Sequence, residues 1–73
     1  MPTFQIKLNG VLDIISVPDY VIDGMREWLK DCEFREGYDT HAEIDEASDI
    51  AIIAATNRHY DGGYNAFLND YYY

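Results

Sequence analysis

Residues 3–32 read TFQIKLNGVLDIISVPDYVIDGMREWLKDC, and the apolar spacing changes once within them, at Pro18. Before Pro18 the period is two. Phe4, Ile6 and Leu8 alternate with polar neighbours, the pattern of a half-buried strand. Asn9-Gly10 follows, a strong short-range hairpin signal, and Val11 to Ser16 supply the returning strand. After Pro18 the period is 3.6. Val21, Ile22, Met25, Trp28, Leu29 and Cys32 fall on one stripe, which predicts an amphipathic helix over about 18–32 with Pro18 in its first turn. Trp28, in the middle of the stripe, is expected to be largely buried between this helix and the sheet. Gly24 weakens the helix by roughly 1 kcal/mol relative to Ala.

The hairpin register is open. A two-residue loop sets Leu8 opposite Val11 and Ile6 opposite Asp13, which buries a carboxylate. A three-residue loop pairs Leu8 with Leu12, Ile6 with Ile14 and Lys7 with Asp13. Apolar pattern favours the second and turn chemistry the first, because a one-residue slip exchanges the faces.

Further along, residues 33–39 hold Gly37 between alternating charges and aromatics and read as a loop. His41 to Glu46 is ambiguous. Ala42 and Ile44 alternate with polar residues as in an edge strand, while Thr40-x-x-Glu43 is a capping box. The strand is the favoured reading, because Ser48 is a better placed N-cap for the apolar run Ile50-Ala51-Ile52-Ile53-Ala54-Ala55. That run predicts a buried helix through about Tyr60, ended by Gly62-Gly63. Tyr64, Phe67 and Leu68 share a face of a short final helix. The fold class expected is α+β, a single ββαβαα domain over 1–73 with a hairpin packed on helices.

Composition narrows the function. A chain of 73 residues buries only about 60% of the surface its unfolded form exposes, and seven Tyr, three Phe and Trp28 help to fill so thin a core. Fourteen Asp and Glu face five Lys and Arg, a net charge of −9 that repels nucleic acid and anionic membranes and favours basic partners. One cysteine excludes an internal disulfide, no apolar run approaches membrane-spanning length, and the first residues lack the regions of a signal peptide. A cytoplasmic protein is expected.

Acidic residues are concentrated. Asp19, Asp23, Glu27 and Asp31 recur at i, i+4 along the first helix, with Arg26 and Lys30 beside them. Residues 31–49 hold eight carboxylates (Asp31, Glu33, Glu36, Asp39, Glu43, Asp45, Glu46 and Asp49) against Arg35 alone, so they carry −7 of the −9. Like charges at i, i+4 cost a helix roughly 0.2–0.5 kcal/mol per pair. Two readings compete: a solvated face that keeps the protein soluble, or a surface that imitates a nucleic-acid backbone and docks a basic groove. These eleven carboxylates are the candidate partner-binding residues.

Other chemistry is thinly represented. His41, Glu43 and Asp45 would share one side of a strand and could ligate a divalent cation, but no metal-ligand spacing supports them, and no metal or cofactor is expected. Cys32 continues an apolar stripe and reads as core. His59 closes a helix, where a cation suits the dipole. No Walker, GxGxxG, HExxH or GxSxG motif occurs, so binding is expected rather than catalysis. Tyr71-Tyr72-Tyr73 either covers the core or meets a partner. In size, acidity and lack of catalytic motif, the chain resembles the small inhibitors that bacteriophages and mobile elements direct against host defence, anti-CRISPR proteins in particular. The resemblance is one of class and transfers no residue. It implies a stoichiometric inhibitor that occupies the basic DNA- or guide-binding channel of an effector. An antitoxin-like regulatory module and a small metal-binding domain are the alternatives.

Overall fold

The computed structural model describes residues 3–8, 10–31 and 41–72. The expectations for Cys32, for the loop at 33–39, for Thr40 and for Tyr73 lie outside the described residues. The elements run β1 (Thr3–Leu8), β2 (Val11–Ser16), α1 (Asp19–Asp31), α2 (His41–Glu46), α3 (Asp49–His59) and α4 (Gly63–Tyr71). The class is α+β as expected: a two-stranded antiparallel ribbon packed against helices. No helix among the described residues is long and apolar enough to cross a membrane.

The hairpin takes the two-residue loop, with Leu8 paired to Val11, Ile6 to Asp13 and Phe4 to Ile15. Gly10 adopts φ +83°, a left-handed conformation that a residue without Cβ reaches without strain. Turn chemistry therefore wins over apolar pattern, and the structure shows why the objection to it fails. Asp13 is not buried; its carboxylate turns to the edge and accepts the N–H of Ile14 at 2.8 Å. The consequence falls on the other face, where Leu12 and Ile14 stand 61% and 66% exposed while Ile15 and Val17 enter the core.

Residues 41–46 form a helix, not the third strand. A lone strand here would need a sheet edge to pair with, whereas a helical turn needs only Ile44 in the core and partners for its last carbonyls. Arg26 supplies those partners. Its Nη1 donates to the carbonyls of Ile44 at 2.6 Å and Ala47 at 3.0 Å, and its Nη2 meets Asp49 Oδ1 at 2.7 Å. One guanidinium thus ties α1 to the end of α2 and the start of α3.

The helices otherwise follow their sequence signals. The Pro18 carbonyl accepts the N–H of Val21 and of Ile22 at the start of α1. Ser48 caps α3, its hydroxyl accepting the Ala51 N–H at 3.2 Å. Gly62 and Gly63, at φ +91° and +83°, turn the chain from α3 into α4. Val21, Ile22, Met25 and Leu29 of α1, Ile52 and Ile53 of α3, and Phe67 and Leu68 of α4 close the core over Ile6 and Leu8 of β1. Thr56 is the buried polar residue among those described, and its hydroxyl donates to the Ile52 carbonyl at 2.9 Å.

Trp28 packs against the core with part of its surface exposed, and its ring stands edge-on to Tyr60 at 5.3 Å and Phe67 at 5.9 Å, at the α3–α4 end of the molecule.

Candidate functional site

Helical spacing places Asp19, Asp23, Glu27 and Asp31 on one side of α1, and all four are exposed. The opposite side carries the apolar stripe that meets α3. Burial of that stripe fixes the side of α1 on which the four carboxylates lie.

At the end of α1 the acidic row meets α2. Lys30 Nζ lies 3.3 Å from Glu27 Oε1 and 2.6 Å from Asp45 Oδ1, so one ammonium joins the α1 row to α2. The two carboxylates hold the Lys30 pKa above its ordinary value, led by the hydrogen bond that Lys30 donates to Asp45 and opposed by burial. Glu43 and Glu46 are also exposed on α2.

The eleven candidate carboxylates therefore differ in standing. Asp19, Asp23, Asp31 and Glu46 are exposed and make no ion pair or hydrogen bond among the described residues. Glu27 and Asp45 share Lys30, and Asp49 is held by Arg26. Those last three do structural work that their residue type did not reveal. Glu33, Glu36 and Asp39 lie outside the described residues.

Helix at 41–46 also dissolves the metal reading. His41, Glu43 and Asp45 share a side only at a period of two; on a helix Glu43 turns away from the other pair. Among the described residues no three His, Cys, Asp or Glu gather in a way that could hold a metal ion.

No protein family, characterised sequence or solved structure matches the chain.

Two further features escaped the sequence reading. A cleft of about 280 Å³ opens between the hairpin and the α3–α4 turn, lined by Leu8, Val11, Asp13, Asn57, Tyr64 and Asn65 among others. Burial, with the Asp13 charge second, holds the Tyr64 hydroxyl above its ordinary pKa. Asn57 Oδ1 accepts the Tyr64 N–H at 3.1 Å and so fixes the start of α4 beside the cleft. The second feature is an aromatic cluster: Phe67 touches Trp28, Tyr60, Tyr71 and Tyr72, and Tyr72 also meets Tyr20 at 5.7 Å. Tyr72 thus covers the core, whereas Tyr71 is exposed.

Proposed function

We propose that this chain is a stoichiometric inhibitor whose α1–α2 carboxylates imitate a nucleic-acid backbone and occupy the basic channel of a nucleic-acid-handling protein. An anti-CRISPR role, in the cytoplasm of a bacterial host, is the specific form of the proposal. The observation that carries it is the junction at Lys30, where Glu27 and Asp45 meet and the exposed row of α1 continues onto α2. A channel built for phosphates attracts such an array from a distance, with fast association that salt suppresses.

The test is a charge reversal that spares the structural carboxylates. Asp19→Lys, Asp23→Lys and Glu46→Lys together alter exposed groups without a partner among the described residues, so folding should persist. Asp45 and Asp49 are avoided because their loss would release Lys30 and Arg26. Protection of a target cell from, or loss of, CRISPR interference is then scored alongside capture of the effector at low and high salt. Wild-type capture that weakens with salt and vanishes in the triple variant supports the proposal. Unchanged inhibition by a folded triple variant overturns it.

A further inference from the structure

The hairpin turns an unusual face to solvent. Bonds alternate outward from the turn, so Val11, Asp13 and Ile15 exchange theirs with β1, while the backbone groups of Leu12, Ile14 and Ser16 point away from it. No backbone hydrogen bond reaches those three from elsewhere among the described residues. β2 is thus an open edge, and three of its exposed side chains are apolar: Val11 (66%), Leu12 (61%) and Ile14 (66%). An open apolar edge is a template for another strand, which folded proteins commonly block with charge.

The block here is Asp13. Its carboxylate accepts the Ile14 N–H, the group an incoming strand would need. A strand that docks must displace that bond, and the freed carboxylate then needs a cation in its place. The cleft beside it is suited to holding one. Its lining combines Asp13 and the polar residues Tyr64 and Asn65 with the apolar Leu8 and Val11, a mixture suited to the charged head and the aliphatic stem of a Lys or Arg. A second copy of this chain is a poor occupant, since it would bring another −9 and lay one Asp13 near the other.

We infer that β2 is a docking edge for an extended segment of a partner protein in which apolar and cationic residues alternate. The apolar side chains cover Leu12 and Ile14 on the outer face. The cations point to the inner face, where one pairs with Asp13 in the cleft. Asp13 acts as a selective latch: it shields the edge from neutral strands and yields to a strand that brings positive charge. This site lies apart from the α1–α2 carboxylates and stands whether or not they bind anything.

The probe is a capped heptapeptide, Thr-Lys-Val-Lys-Val-Lys-Thr, titrated into the intact chain and followed by amide chemical shifts and hydrogen exchange. Binding is expected with new protection at the amides of Leu12, Ile14 and Ser16. Three changes should each weaken it about tenfold or more: Asp13→Asn, Glu in place of the peptide's Lys, and N-methylation of alternate peptide amides, which keeps the charge and removes edge hydrogen bonds. The Asp19→Lys, Asp23→Lys, Glu46→Lys variant should bind the peptide through the same amides. Equal binding of the N-methylated peptide, or shifts confined to α1 and α2, would reduce the effect to bulk charge attraction and overturn the inference. Protection of the same amides with rising protein concentration and no peptide would assign the edge to a second copy instead.

Discussion

The hydroxyl of Tyr72 lies in the space that a Cβ on Gly24 would fill, with Tyr72 Cζ only 3.1 Å from that position. This relationship explains a glycine in the middle of α1 that helix propensity alone disfavours. The missing side chain lets α1 receive the ring from beyond α4, and Tyr72 in turn stacks edge-on to Tyr20 and reaches Phe67. On propensity alone Gly24→Ala should stabilise the protein by up to about 1 kcal/mol. The expected result is the opposite, a lower melting temperature, because Tyr72 must leave its seat. In a Tyr72→Ala background the same substitution should become stabilising. A thermal-melt cycle over the four proteins reads the sign change, and identical effects in both backgrounds would refute the packing.

Arg26 is the second joint. Its side chain is 14% exposed and holds the ends of both α2 and α3. Arg26→Ala leaves several carbonyls and a carboxylate without their donor, at an expected cost of about 2–4 kcal/mol. Arg26→Lys should recover part of this, since an ammonium lacks the planar fork that spans the two helices. Asp49→Asn, at the more exposed end of the pair, should cost under about 1 kcal/mol. Urea denaturation of the three variants gives the ranking.

How much of this was legible in sequence depends on the length of the signal. Helices α1, α3 and α4 rest on long apolar periods and on Ser48, Gly62 and Gly63, and they start and stop within about a residue of their expected bounds. Residues 41–46 carry a single core side chain, Ile44, so periods of two and 3.6 fit them equally well. What decides between them is Arg26, fifteen residues or more away in sequence, and no local pattern announces that contact. For the same reason the acidic residues could be counted but not sorted. Asp45 and Asp49 look like Asp23 in sequence and differ only in the cations the fold brings to them.

The hairpin register yields a prediction that separates its two alternatives. With Leu8 opposite Val11, Leu12 and Ile14 face water and Ile6 and Ile15 face the core. Leu12→Thr and Ile14→Thr should each change stability by no more than about 0.5 kcal/mol. Ile6→Ala and Ile15→Ala should each cost about 2–4 kcal/mol. A one-residue slip would keep Ile6 in the core but exchange the faces of β2, making Leu12 and Ile14 costly and Ile15 cheap, so the three β2 variants decide the register and Ile6→Ala is their reference.

The last prediction concerns alkaline pH. Tyr60 donates to Asp70 Oδ2 at 2.5 Å, and this bond, with burial and the Asp70 charge behind it, pushes the Tyr60 hydroxyl up to about 12 from its ordinary value near 10. The folded protein therefore keeps a proton that the unfolded chain releases. Between pH 10 and 12 the native state binds more protons than the unfolded state, so stability from this bond is complete below pH 10 and falls as pH rises toward 12. Asp70→Asn keeps an acceptor but removes the charge, so one tyrosine should titrate earlier in the ultraviolet tyrosinate signal. The Asn variant should also lose less stability across that window than the wild type. Superimposable tyrosinate curves for the two proteins would mean that Asp70 does not hold the Tyr60 proton.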